Sequence, residues 1–331
     1  MKRATTVLFF LAATISLTAQ SILFVKQGGQ GNGQSWQTAM GDLQQALQTA
    51  RPGQQIWVAA GVYKPTATHD RQASFVISDG IALYGGFSGM EQSISQRNVK
   101  ENPTVLSGDI GTPAVDDNSL SVIRTYGVSP STIVDGFVIK GGNANLAASM
   151  GSESGCGGAW FNDGSQGKES SPTVRNCVFE GNQAHFGGAI FNNGEEGTCR
   201  MTIEKTTFIS NSADNSGGAV YNSGLRGICN IVVSSCTFQK NEAPYGASVH
   251  NRADGGIASP VLRNCVFREN VAYLSGSSIY NYRSAEAECQ PVLNKCIFKN
   301  NKDGLGETIG EPVGERKNKK SSSSFTMRPT Y

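Results

Sequence analysis

The stretch Cys177-Val178-Phe179-Glu180-Gly181-Asn182 decides the fold, because it recurs along the chain at a nearly constant interval. Further copies occupy 206–211, 236–241, 265–270 and 296–301, and the Phe residues are 29, 30, 29 and 31 positions apart. A second motif, Gly157-Gly158-Ala159-Trp160-Phe161-Asn162, recurs with the same period at 187–192, 217–222, 246–251 and 276–281. A period between about 20 and 50 residues is typical of stacked structural repeats.

Each repeat places its residue types at constant positions. An apolar residue lies five positions before each Phe, and Cys or Thr lies two positions before it. The two residues between these positions are polar in every copy, for example Arg175-Asn176, which predicts a corner between two short strands. The Gly-Gly-Ala segment supplies a third strand. We therefore predict an all-β fold, a right-handed single-stranded parallel β-helix, with coils stacked at about 4.8 Å.

Stacking would convert each constant position into a column that runs along the solenoid. Phe would stack on Phe, and burying each ring stabilises the fold by about 1.5–3 kcal/mol. Asn recurs at two positions and would form two turn ladders, because Asn can bond its own backbone and its stacked neighbour. The first ladder would contain Asn182, Asn211, Asn241, Asn270 and Asn301, and the second Asn162, Asn192, Asn222, Asn251 and Asn281.

The domain organisation follows from the two ends of the chain. Residues 1–19 combine Lys2 and Arg3 with a short apolar run and predict a secretion signal peptide. Residues 20–55 form an N-terminal cap segment, in which a short helix over 42–50 would cover the open end of the solenoid. The β-helix spans 56–301. Residues 302–331 are rich in Gly, Lys and Ser and predict a disordered tail.

Charge and hydropathy exclude several classes of partner. The formal net charge is only +2, so we expect no nucleic acid partner. The apolar run near the N-terminus is too short to span a bilayer, and we expect no transmembrane segment elsewhere. The signal peptide predicts an exported protein, located in the extracellular space or at the outer membrane and cell surface.

Two families resemble this chain. The copies Gly187-Gly188-Ala189-Ile190 and Phe179-Glu180-Gly181-Asn182 resemble the repeats of polymorphic outer membrane proteins, which are bacterial surface adhesins and autotransporters. The N-terminal half, including 56–65 and 106–110, is similar to exported right-handed parallel β-helix proteins of pectate-lyase-like architecture. The later copies 246–249 and 276–279 depart from the repeat. The resemblance implies the fold and surface display, and it implies no defined activity.

The eight cysteines fall mainly into two columns. Cys177, Cys236, Cys265 and Cys296 share the first column, which indicates small buried side chains. Cys199, Cys229 and Cys289 share the second. Equivalent positions in adjacent coils lie within disulfide reach, so Cys199 and Cys229 form the best candidate bridge. The alternative for this pair is also a column of small buried residues.

Two further groups are candidate binding sites. The loop 109–118 carries Asp109, Asp116 and Asp117, and oxygen-rich loops can hold Ca²⁺. A solvated loop is the alternative. The second group is an aromatic column, Phe161, Phe191, Tyr221, His250 and Tyr280, which neighbours the aliphatic column that includes Ile190 and so faces the opposite way. We expect an outward stripe that could stack on sugar rings. The alternative places these rings in the core.

The sequence shows no catalytic constellation. Its three His residues have no evident nucleophilic partner, and no Asp recurs at one position of a strand. The leading hypothesis is a non-enzymatic, adhesin-like surface protein that presents an elongated face to a glycan or a cell-surface protein. A polysaccharide lyase or glycoside hydrolase is the enzymatic alternative. A subunit of a larger solenoid that self-associates end to end is the third. Function is expected in the aromatic column, the acidic loop, or the loops 145–155 and 164–171.

Overall fold

The computed structural model describes residues 21–112, 114–146, 149–304 and 309–310. Its strands stack in parallel along one axis, so that each coil pairs with the coil before it and the coil after it. Short apolar segments separated by tight turns produce this arrangement, because no single segment can bury its apolar face alone. The chain is a parallel β-helix, as predicted.

Two parallel sheets meet at the predicted polar corner. Sheet 1 contains Ile22–Val25, Gln55–Ala59, Ala82–Phe87, Ile133–Asp135, Thr173–Arg175, Thr202–Glu204, Val232–Ser234, Val261–Arg263 and Val292–Asn294. Sheet 2 contains Gly61–Tyr63, Thr104–Ser107, Phe137–Lys140, Val178–Glu180, Thr207–Ile209, Thr237–Gln239, Val266–Arg268 and Ile297–Lys299. Ile133–Asp135 of sheet 1 and Phe137–Lys140 of sheet 2 are separated only by Gly136, which turns the chain with a φ of +87°.

Three more sheets close each coil. Sheet 3 contains Asn143–Ala144, Gln183–Phe186, Ser212–Ser216, Glu242–Tyr245, Val271–Ser275 and Lys302–Asp303. Sheet 4 contains Phe75–Val76, Ile123–Tyr126, Trp160–Asp163, Ile190–Asn193, Val220–Ser223, Val249–Ala253, Ile279–Arg283 and Ile309–Gly310. Sheet 5 contains Glu169–Ser170, Thr198–Cys199 and Ile228–Cys229. Short 3₁₀ helices cover Ile94–Gln96 and Val115–Asp117.

The predicted cap helix covers the N-terminal end of the core. It runs over Leu43–Thr49, and the Asp42 side chain accepts a hydrogen bond from the backbone of Gln44. Such an N-cap satisfies one of the free amides of the first turn. Leu43, Ala46 and Leu47 are buried in the same apolar cluster as the first coils. The i, i+3, i+4 spacing therefore presents one apolar face to the solenoid.

The strands extend beyond both predicted boundaries of the solenoid. Ile22–Val25 pairs with Gln55–Ala59, so sheet 1 begins ahead of residue 56. After residue 301, Lys302–Asp303 and Ile309–Gly310 pair with the preceding coil. Pairing continues because a parallel edge strand can hydrogen-bond any extended segment that follows it. The predicted signal peptide and the remainder of the predicted tail lie outside the described residues.

Ring and amide ladders run through the interior. The Phe rings of the sheet 2 repeats stack with centroids 4.8–5.0 Å apart, and all but Phe298 in the last coil are fully buried. Side-chain amides bond from coil to coil at 2.8–3.0 Å in both Asn columns. Asn211, for example, donates to Asn241 Oδ1 and to the carbonyl of Phe179. The ladders therefore satisfy buried turn backbone as well as each other.

We expect the substitution Asn211→Ala to lower the free energy of unfolding by about 2–3 kcal/mol, because it leaves buried partners on both adjacent coils without a hydrogen bond. Chemical denaturation measures the change. Asn294→Ala is the matched control, since Asn294 is exposed. Equal stabilities of the two variants would show that the ladder does not hold the coils together.

Candidate functional site

The aromatic column lies on the outer face of sheet 4, as its strand position predicts. The five rings occupy equivalent positions on adjacent strands, with centroids 4.5–5.8 Å apart. The neighbouring aliphatic column, which includes Ile190, points into the main core. Alternation along a strand therefore predicted the direction of these rings correctly.

The expected exposure of this column is wrong. Phe161, Phe191, Tyr221, His250 and Tyr280 are between 0 and 8% exposed, so they do not form a surface stripe. A nonrepeating segment, residues 149–156, packs across the outer face of sheet 4 on Phe161, Phe191 and Tyr221, whereas Tyr245 of sheet 3 packs on Tyr280. We call residues 149–156 the covering segment.

The covering segment packs directly on the rings. Cys156, Met150 and Phe186 join Phe161, Phe191 and Tyr221 in a second apolar cluster, separate from the main core. The Tyr221 hydroxyl donates to Met150 Sδ at 3.0 Å. Burial raises the pKa of the Cys156 thiol to about 12. The ring faces are therefore occupied by protein and are not free to stack on sugars.

A second outward column lies two residues further along each strand of sheet 4. We call it the polar column; its members, in strand register, are Tyr126, Asp163, Asn193, Ser223, Arg252 and Tyr282. Asn193 and Ser223 are buried, whereas Tyr126 is 38% exposed. Alternation places this column on the same face as the aromatic rings, but its residue types differ from coil to coil, so no repeat of the sequence marks it.

An acidic pocket of about 320 Å³ opens beside the covering segment at the Asp163 end of the polar column. Its lining consists of Gly151, Glu153, Phe161, Asp163, Ser165, Gln166, Asn193, Glu195 and Glu196. The loops 145–155 and 164–171, both proposed from the sequence as functional, therefore meet at one place. The pocket itself could not be predicted, because the repeat does not determine where 145–155 lies.

Hydrogen bonds position the floor of the acidic pocket. Asp163 Oδ1 accepts from Asn193 Nδ2 at 3.0 Å and from the Ser165 amide at 3.2 Å. Asn193 Oδ1 in turn accepts from the Glu195 amide at 3.3 Å. These bonds link two successive coils, so the register of sheet 4 fixes the spacing of the polar groups.

Two guanidinium groups border the acidic pocket. Arg124 pairs with Glu153 at 3.0 Å, and Arg226 pairs with Glu195 and Glu196 at 2.8 Å each. The Tyr126 hydroxyl donates to Glu153 at 2.8 Å. Burial, and then this hydrogen bond to a carboxylate, raise the pKa of Tyr126 to about 12. Tyr126 therefore remains a neutral donor at the rim of the pocket.

The structure does not gather Asp109, Asp116 and Asp117 into one site. Asp117 Oδ2 accepts from the amide and hydroxyl of Thr112 at 2.7 Å, and these bonds lower its pKa. Asp109 lies 3.8 Å from Lys64 Nζ. In the described residues, no three His, Cys, Asp or Glu side chains form a group suited to a metal ion. Calcium binding by this loop stays a prediction.

The first cysteine column bonds the corner between sheets 1 and 2. Each Sγ donates to the carbonyl two residues earlier, at 3.2–3.7 Å, and Thr206 donates in the same way at 2.8 Å. Burial raises the pKa of Cys177 to about 12. These thiols act as small buried donors.

The second cysteine column places Cys199 and Cys229 in register on adjacent strands of sheet 5. The candidate disulfide between them is not formed in the structure, where both side chains are thiols. Burial, and then the neighbouring Cys199, raise the pKa of Cys229. Strand register explains why Cys199 and Cys229 lie close together, but closeness alone does not form a disulfide.

Comparisons with known proteins give a family match within the repeat region and distant structural neighbours. Residues 176–193 and 205–223 match the Chlamydia polymorphic membrane protein repeat. A pectin methylesterase from Aspergillus niger in deglycosylated form is a structural neighbour, with 16% identity, 88% of each chain covered and a TM-score of 0.37. Pectate lyase Pel9A shows 11% identity, coverage of 85% of this chain and 79% of that chain, and a TM-score of 0.34.

Similarity at this level does not define chemistry for this chain. A search of curated proteins finds no match. Within the residues that the structure describes, no helix is long and apolar enough to cross a membrane.

We expect buried His250 to make the protein acid-sensitive. Burial, and then the nearby Arg252, lower its pKa from 6.5 to about 3. The unfolded chain therefore binds a proton between pH 6.5 and 3 that the folded chain does not, and stability falls as the pH drops through this window. The contribution of His250 between pH 7 and pH 4 is a loss of about 3 kcal/mol.

Chemical denaturation of wild type and His250→Phe at the two pH values measures this loss. The variant keeps an aromatic ring in the stack and should show a smaller acid penalty. The matched control is His69→Gln, at an exposed position. An unchanged penalty in His250→Phe would contradict the assignment.

Proposed function

We propose that this protein is an exported, non-enzymatic surface protein, adhesin-like, which binds a glycan on the outer face of sheet 4. The proposal rests chiefly on the acidic pocket, where carboxylates, amides and a hydroxyl converge on a concave surface outside the solenoid core. Binding sites combine a small number of such polar groups with apolar or aromatic surface. Similarity to the Chlamydia polymorphic membrane protein repeat supports a location at the cell surface.

Tyr126 provides the aromatic surface that the buried column cannot. It lies next to Asp163 in sheet 4, and its hydroxyl bonds Glu153 at 2.8 Å, so the ring is held at the rim of the pocket. A Tyr ring with a bonded hydroxyl offers an apolar face to a sugar at little entropic cost. A protein partner is the alternative occupant of the same pocket.

The polar column does not place two charged side chains close enough to act together on one glycosidic bond. Asp163 and Arg252 are its principal charged members, and they are three strands apart in register. At about 4.8 Å for each step, their backbones are about 14 Å apart. Two groups that act on one glycosidic bond lie closer, at about 5–9.5 Å between carboxyls. The polar column by itself therefore supplies no closely spaced pair of carboxyls, and the assay of released ends below tests whether the carboxylates of the acidic pocket cleave a glycan.

A panel of glycans assayed for retention and for cleavage tests the proposal. We expect retention without release of reducing or unsaturated ends, and Tyr126→Ala should weaken binding about tenfold through loss of the ring face. Tyr273→Ala is the matched control, because Tyr273 is 58% exposed on sheet 3, away from the pocket. Release of new ends, or equal retention by both variants, would contradict the proposal.

End-to-end association of two copies is a second candidate function, favoured by the last coil. Leu293, Cys296 and Phe298 are only partly buried, whereas Leu262, Cys265 and Phe267 at the same positions one coil earlier are fully buried. Among the described residues, no strand pairs with the outer edges of Val292–Asn294 and Ile297–Lys299. A second copy could supply both the apolar cover and the backbone partners.

We expect light scattering to show a mass that rises with protein concentration, and Phe298→Asp to reduce this rise by charging the apolar contact. Ile297→Asp changes the neighbouring outward-facing side chain, which is 47% exposed, and serves as the control. A monomeric mass at every concentration would remove this candidate.

A further inference from the structure

Three carboxylates of the acidic pocket each use only one oxygen. Asp163 bonds Asn193 and Ser165 through Oδ1, and Arg226 contacts Glu195 and Glu196 through their Oε1 atoms. The second oxygens of Asp163, Glu195 and Glu196 have no hydrogen bond or ion pair within the described residues. These oxygens are acceptors without protein donors, in residues that line the pocket.

Ser165 provides an independent sign of a ligand. This residue is 7% exposed and lines the pocket, and its backbone is held by bonds to Asp163 and Lys168. Its hydroxyl has no partner in the part of the chain that the structure describes. Few residues this buried leave a hydroxyl without a partner, and the Ser165 hydroxyl is open to a ligand that enters the pocket.

The charge of the pocket selects the kind of ligand. Four carboxylates, those of Glu153, Asp163, Glu195 and Glu196, are offset by the guanidinium groups of Arg124 and Arg226. Two negative charges remain in excess, and an acidic ligand would be repelled. Partial burial strengthens this discrimination, because water screens the charges less.

A bound metal ion is not the best match for this excess charge. The carboxylates do not form a group of three suited to a metal ion. A volume of about 320 Å³ is at the lower end of the range for small-molecule sites, and it exceeds the space that one ion needs. Carboxylate oxygens distributed around such a volume can accept hydrogen bonds from an organic cation that carries several hydrogen-bond donors.

We infer that the acidic pocket binds a sugar residue that carries a free, protonated amine, with the ammonium group facing Asp163. The inference rests on the proposed glycan binding and narrows it to glycans that contain unacetylated hexosamine. Ser165 and Gln166 line the same pocket and offer polar groups to the hydroxyls of that ring. An N-acetyl group removes the charge that the carboxylates recognise.

Isothermal titration of the full chain with a glucosamine tetramer and with its fully N-acetylated counterpart tests the inference. We expect the free-amine form to bind at least about tenfold more tightly, and to lose affinity as salt rises. Asp163→Asn should lower this affinity by about tenfold, and Ser165→Ala should lower it by a smaller factor. Glu180→Gln is the matched control, because Glu180 is an exposed carboxylate on sheet 2.

The possible failures are distinguishable. Equal binding of the two tetramers, or an unchanged affinity in Asp163→Asn with unchanged thermal stability, overturns the amine inference and leaves glycan binding intact. Binding of a lysine peptide with no glycan retained overturns the proposed glycan function, while recognition of an ammonium group by Asp163 is supported. Binding of neither amine probe overturns the inference.

Discussion

The coils of this solenoid hold together because equivalent residues stack in register from one turn to the next. Each turn must repeat the path of the turn before it, so that Phe lies on Phe and Asn bonds Asn across about 4.8 Å. A slip of one residue would turn the ring column from the core to the solvent. The side-chain amides oppose such a slip, because Asn182 and Asn211 bond only when their turns coincide.

The corners show that stacking outweighs local preference. Lys205 and Ser235 adopt left-handed conformations, with φ of 47° and 54°, at the same corner as Asn176 and Asn264. A left-handed conformation costs a residue other than Gly about 1–2 kcal/mol. The chain accepts this cost because a corner of any other shape would break the backbone pairing of both adjacent coils.

The same register that builds the core also builds the outer face of sheet 4. Successive outward positions on its strands form the aromatic column and the polar column. The aromatic column is buried, partly under the covering segment 149–156, whereas Tyr126 of the polar column stays accessible. Met150 bonds both Tyr221 and Arg252, so one nonrepeating segment is attached to several coils at once. The acidic pocket lies at the edge of this covered area, where Glu153 faces Asp163 and Glu195.

Strand alternation and the repeat period are local properties that act identically in every coil, so they predict the solenoid, the inward Phe and Cys columns, the two Asn ladders and the outward direction of Phe161 and Phe191. The burial of those rings, the separation of Asp109, Asp116 and Asp117, and the pocket between loops 145–155 and 164–171 follow from the folded chain alone. These outcomes depend on how nonrepeating segments pack against the coils. Periodicity carries no information about such a segment, and its position follows from contacts between residues far apart in the chain.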